Sequence, residues 1–177
     1  WFFILFHSSH RTLDGTERTG QAFGTNFRHS GRNLNTSAFV GFTDPGFRSD
    51  VGVIRRVDTR TGWVDFSYRW WPASARLINW GPRVRYERNY NHDGDLDDEI
   101  IRPGLDFTFV RNVRAGIGTE RSLERFGGVD FWKWRYSSNV AVATSRRLEV
   151  TGDVSWGDQI RFVADPGARV VPDIKGR

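Results

Sequence analysis

Apolar and polar residues alternate through nearly every stretch of this chain, and that alternation limits what it can fold into. In WVDFSYRWW (63–71), Val64, Phe66, Tyr68 and Trp70 fall on one side of an extended strand. Trp63, Asp65, Ser67, Arg69 and Trp71 fall on the other. PRVRYERNY sets Val84, Tyr86 and Tyr90 against Arg83, Arg85, Glu87 and Asn89, and GLDFTFV sets Leu105, Phe107 and Phe109 against Asp106 and Thr108. FWKWRYSSNVAVAT runs through Trp132, Trp134, Tyr136, Ser138, Val140 and Val142. LEVTGDVSW runs through Leu148, Val150, Gly152, Val154 and Trp156, against Glu149, Thr151, Asp153 and Ser155. Long windows with apolar spacings of three and four are missing, so the chain reads as all-β.

The same pattern covers DPGFRSDVGVIRRVD (44–58). Read as a strand, it places Phe47, Ser49, Val51, Val53, Arg55 and Val57 on one, mostly apolar side and Arg48, Asp50, Gly52, Ile54, Arg56 and Asp58 on the other. Turn chemistry stands at Asp44-Pro45-Gly46, Thr61-Gly62, Asp93-Gly94, Gly127-Gly128 and Gly157-Asp158. The expected architecture is an antiparallel up-and-down meander of about ten strands in one domain spanning residues 1–177: an outer-membrane-type β-barrel, or part of a larger barrel. The runs near 82–92, 96–110 and 129–145 exceed the usual five or six residues of a globular strand and suit a tilted membrane strand.

Period two alone does not say which solvent meets which face. In a soluble β-protein the apolar face is core; in a membrane barrel it meets lipid and the charged face lines the interior. Among the 177 residues there is no cysteine, which excludes disulfides and thiolate chemistry. There is no methionine either, and VPDIKGR does not read as a final barrel strand, so the chain is expected to be a piece of a longer protein. The net charge of +5 comes almost entirely from arginine that alternates with acids rather than clustering, which argues against nucleic acid as a partner. Mean hydropathy is −0.54, and no apolar run approaches the ~20 residues of a membrane helix.

Aromatic residues make up 15% of the chain, and most of the eight tryptophans stand toward strand ends, where a membrane interface selects amphipathic rings. The soluble alternative is a sugar-binding β-domain that uses exposed tryptophans.

RNLNTSAFVGFTDPGFRSDVGVIRRVD, followed by YRWWP, NWGPRVRYER and PGLDFTF, resembles the C-terminal region of a bacterial family carrying the domain of unknown function numbered 5916. Pro45-Gly46-Phe47-Arg48 with Asp50, Gly52, Arg56 and Asp58 is its most specific part, within a likeness that covers about residues 20–165. The resemblance implies a β-barrel of the bacterial outer membrane with lipid as its partner. It also implies carbohydrate binding through an N-terminal domain similar to carbohydrate-binding module 9, outside this chain. It transfers no catalytic residue and no cofactor, and no enzyme activity is expected.

NYNHDGDLDDEI (89–100) places Asn89, Asn91, Asp93 and Asp95 at calcium-loop spacing, but position twelve is Ile100 rather than a bidentate glutamate. A two-residue turn at Asp93-Gly94 is the expected reading, with no metal. His7, Ser8, Ser9 and His10 lack a nucleophile-elbow context. In the barrel reading Arg48, Asp50, Arg56, Asp58, Asp65, Arg69, Arg83, Arg85, Glu87 and Asp106 face the lumen, with Glu149 and Asp153 beside them. A turn at Thr61-Gly62 would bring Arg56 opposite Asp65 as a cross-strand ion pair.

Overall fold

The structure, a computed structural model, describes residues 2–11, 15–48, 56–126, 129–143, 148–161 and 169–176. Ten strands follow one another: β1 (Phe2–Arg11), β2 (Glu17–Ser30), β3 (Leu34–Thr43), β4 (Thr59–Tyr68), β5 (Leu77–Tyr90), β6 (Leu96–Phe109), β7 (Val113–Phe126), β8 (Val129–Val142), β9 (Val150–Arg161) and β10 (Arg169–Gly176). They form one sheet in chain order, every neighbour antiparallel, with β1 and β10 at its two ends. This is the all-β up-and-down meander that the alternation dictates.

The connections differ from expectation where turn chemistry lies inside a paired strand. Thr61 and Gly62 are interior to β4, opposite Asn89 and Arg88 of β5, and Gly157 and Asp158 are interior to β9. At the β5–β6 hairpin the loop is His92-Asp93-Gly94, with Gly94 at φ 90°, closed by the Asn91 N–H on the Asp95 carbonyl. It is a three-residue loop ending in a left-handed glycine, not a two-residue turn. The pair Gly127-Gly128 lies outside the described residues.

The largest departure is the stretch 44–58. Thr43 pairs directly with Thr59, and the described residues between them, 44–48 and 56–58, lie outside the strands. Alternation makes a strand only where a partner is free, and here β2 and β5 already occupy the outer edges of β3 and β4. Asp44-Pro45-Gly46 does turn the chain, with Phe47 N–H on the Asp44 carbonyl. Arg48, Arg56 and Asp58 therefore stand outside the strands, and Asp50, Val51 and Val53 lie outside the described residues.

The sheet is a single layer. Leu123 is the one hydrophobic side chain buried among the described residues. The accessible surface is 12613 Å², whereas a compact soluble monomer of this mass would expose about 8,800 Å². Pairing register sorts the side chains into two faces. Val64, Phe66, Leu105, Phe107, Val140 and Val150 share one, and Asp65, Arg85, Glu87 and Asp106 share the other. The fully charged side chains that the register puts on the apolar face of β2–β8 are Glu17, Arg60, Arg88, Glu99, Arg121, Arg125 and Asp130. All lie in the strand halves near one rim, the rim carrying the β1–β2, β3–β4, β5–β6 and β7–β8 connections. From Ile101 to Phe109 the apolar face of β6 carries no charge; those eight intervals make about 27 Å of strand, or about 20 Å of depth at barrel tilt.

Gly81 marks where β4 parts from β5. Pairing stops at Ser67–Arg83 and resumes only as the Trp70–Trp80 bridge. The Tyr68 carbonyl lies so close to Gly81 that an added Cβ would collide with it. Gly81→Ala is expected to cost about 1–3 kcal/mol through overpacking, read as a lower midpoint in chemical denaturation. An unchanged midpoint would show that the two backbones do not approach this closely.

Candidate functional site

The polar face is organised as a row across the sheet. Register sets Arg28 opposite Ser37, Ser37 opposite Asp65, Asp65 opposite Arg85 and Arg85 opposite Arg102. Arg102 pairs with Glu120, which stands opposite Arg135. Like charges face each other at Arg85 and Arg102, an unfavourable pairing unless acids intervene. They do: Arg85 donates to Asp65 at 2.7 Å and to Glu87 at 3.0 Å, and Arg102 donates to Glu120. The Arg85 guanidinium also lies 4.8 Å from the ring of Trp63, which points to the same face.

The neighbouring row is nearly all small residues: Ser67, Arg83, Gly104, Gly118, Ser137 and Ser155. With no side chains at Gly104 and Gly118, the Arg83 side chain lies flat across both strands and donates to Asp106 at 3.0 Å. The result is a pair of hollows. One, of about 310 Å³, includes Arg28, Asp65, Arg83, Arg85 and Arg102 in its lining; the other, of about 240 Å³, includes Arg83, Arg102, Glu120, Arg135, Ser137 and Ser155. A third depression of about 600 Å³ joins Arg69, one residue beyond β4, to Arg83, Asp106 and Arg114.

Of the residues expected to face a lumen, Asp65, Arg83, Arg85, Glu87 and Asp106 come together on this face, and Arg69 stands at its margin. Arg48 gives its backbone N–H to the Ser8 hydroxyl, and Glu149 pairs with Arg114 at 3.5 Å. Asp153 stands opposite Asn139. Arg56 does reach carboxylates, at 2.8 Å each, but they are Asp97 and Asp98 at the start of β6 rather than Asp65. The reason is the loop: without a hairpin at Thr61-Gly62, Arg56 never lies beside β4, and Asp65 is taken by Arg85.

Sequence reasoning missed a second tie of that loop. His92, in the β5–β6 hairpin, sits between two carboxylates: Nε2 is 3.0 Å from Asp44 and Nδ1 2.9 Å from Asp58. A neutral imidazole can donate to only one of them and an imidazolium to both. Asp58 adopts φ 60° and also accepts the His92 backbone N–H, so both ends of the loop are anchored to one hairpin. Residues 34 and 48 positions apart in sequence meet here, and no local motif announces such a contact.

Asn89, Asn91, Asp93 and Asp95 do not form a cation cage. Asn91 Oδ1 accepts the Asp95 N–H and the Asn89 amide points to Glu87. Among the described residues no group of three or more His, Asp or Glu is disposed to hold a metal. Strand alternation separates Ser8 and His10 from His7 and Ser9, and Ser9 donates to Glu17. The chain matches no protein-family model, no curated protein and no solved structure.

Arg85 serves two acids and one ring while only about a third of its side chain is exposed. Arg85→Ala is expected to cost about 1–2 kcal/mol from ion pairs and ring contact together. Arg56→Ala, at a half-exposed pair, is expected to cost at most about 0.5–1 kcal/mol. Denaturation midpoints of the two variants check the order; Arg56→Ala the more damaging would refute it.

Proposed function

We propose that this sheet is the wall of a β-barrel in the bacterial outer membrane. Its apolar face meets lipid and its polar face lines the interior. The barrel passes solutes or anchors a surface carbohydrate-binding domain, as the resemblance to family 5916 suggests. One observation carries the reading: where one face holds Asp65, Arg85, Arg102 and Glu120 in a row, the flanking residues of the other face are uncharged on β4, β5 and β6, with Arg121 of β7 the one full charge, on the side of the charged rim. A soluble protein would cover the uncharged face with a second layer, and among the described residues none exists. Lipid needs no such layer and tolerates charge only near its boundary, where Arg88, Glu99, Arg121 and Arg125 stand.

Rings at both rims support the same reading. Arg121 lies 4.1 Å from the Trp132 ring at one rim, while Trp70, Trp80, Phe107 and Phe109 stack in series at the other. The alternative of a soluble sugar-binding β-domain finds its best platform at the exposed, stacked Tyr136 and Trp156. Those rings lie on the apolar face, beside a depression edged by Pro103, Leu105 and Ile117 that offers sugar hydroxyls few partners.

Because the chain has no cysteine, single substitutions label it uniquely. Leu105→Cys and Val140→Cys should report lipid, and Ser137→Cys and Thr108→Cys water, when spin labels are probed with oxygen and a polar nickel complex in liposomes. A chain that stays monomeric and soluble without detergent, or labels equally wet on both faces, would sink the membrane reading.

A further inference from the structure

We infer that the polar face carries an oxyanion site formed by Arg83, Arg102 and Arg135 with the hydroxyls of Ser137 and Ser155, over the bare backbone of Gly118. The solutes it takes are small carboxylates or phosphates. The inference deepens the proposed function, since it rests on this face being open to solutes rather than covered by another layer.

The charge balance carries the argument. Each carboxylate around the hollow is already matched: Glu120 by Arg102, Asp106 by Arg83, and Asp65 and Glu87 by Arg85. Arg135 is the residue left over. It stands opposite Glu120, which is engaged by Arg102, and among the described residues its side chain's one hydrogen bond is to the Ser155 hydroxyl at 3.4 Å. Arg83 and Arg102 each reach their acid through Nε, leaving terminal nitrogens undirected toward any carboxylate. Three guanidinium groups against one acid therefore line a hollow of about 240 Å³.

Shape agrees with charge. Gly118 forms the floor, where a Cβ would stand 3.3 Å from the Ser137 hydroxyl and 3.5 Å from an Arg83 terminal nitrogen. The glycine thus clears space at the point where these donors converge. Planar guanidinium groups present paired N–H donors matched to carboxylate and phosphate oxygens, and serine hydroxyls add single donors. Cations find no such set here, because no carboxylate of the hollow is free of an arginine.

The test titrates inorganic phosphate into the full chain in detergent at low salt by calorimetry. Saturable binding is expected, weakened at least tenfold in Arg135→Gln and less than twofold in Arg28→Gln. Arg28 shares the polar face and has no carboxylate partner among the described residues, but lies outside the hollow. Arg135→Lys should recover part of the loss, which tells a binding role from a folding role. No saturable binding by the unaltered chain, or equal binding by Arg135→Gln, overturns the inference. Liposome flotation of the same preparation separates the two readings. Insertion without phosphate binding rejects this site alone, while phosphate binding without insertion rejects the barrel alone.

Discussion

Hydrogen-bond register between successive strands is the constraint on which the rest of this structure depends. A slip of one residue at any of the nine pairings would transfer every polar-face charge on one strand to the apolar face. The register is held without a core, since Leu123 alone is buried among the hydrophobic residues described. It is held instead by ladders up to fourteen residues long and by cross-strand pairs that fit one register only, such as Asp65–Arg85, Arg88–Glu99 and Arg125–Asp130. Each pair is worth at most about 1 kcal/mol where exposed. Their value is in discrimination, because a slip breaks each pair and, for Asp65–Arg85, carries a charge to the apolar face.

Prolines test that scheme. Pro103 lies in the interior of β6, where a missing N–H cannot complete the ladder. Pairing between β6 and β7 is interrupted there, between Ile101–Arg121 and Gly104–Gly118. The gap coincides with the Arg102–Glu120 ion pair, which spans the same two strands on the polar face. A charge-assisted side-chain contact bridges the place where the backbone contact fails. Pro82 in β5 and Pro103, with Gly104 and Gly118 nearby, also thin the sheet on its apolar face, leaving a shallow depression edged by Leu105, Ile117 and Trp156.

Much of this was legible in the sequence, for a physical reason. Alternation is a local property of a strand, so the face assignments of Val64, Phe66, Leu105, Phe107, Val140 and Val150 follow from parity alone. Asp65, Arg85, Glu87 and Asp106 follow in the same way. Partner identity is not local. Arg56 meets Asp97 and Asp98 because it lies outside the strands in the connection between Thr43 and Thr59, and local propensity cannot tell such a residue from one in a strand. Turn-forming dipeptides mislead for a related reason. Thr61-Gly62 and Gly157-Asp158 are compatible with turns, but strands on both sides pair with the first and β10 pairs with the second, which keeps both within the sheet. The hollow over Gly118 needs register across five strands before its arginines can be seen as neighbours.

The two rims differ, and the difference bears on orientation. Three-residue links join β2 to β3 and β6 to β7 at one rim, where the apolar face ends in stacked rings. The other rim carries the fifteen-residue β3–β4 connection, the two-residue β7–β8 connection and the apolar-face charges. Strands of fourteen residues exceed the nine to eleven that span a bilayer at barrel tilt. The excess must project, and charge on the apolar face is tolerable only on the projecting part. All such charge lies at the loop-bearing rim, so the strands of the proposed wall project on that side. In that wall the Asp44–His92–Asp58 and Arg56–Asp97–Asp98 contacts pin both ends of the β3–β4 connection to the β5–β6 hairpin on the projecting side.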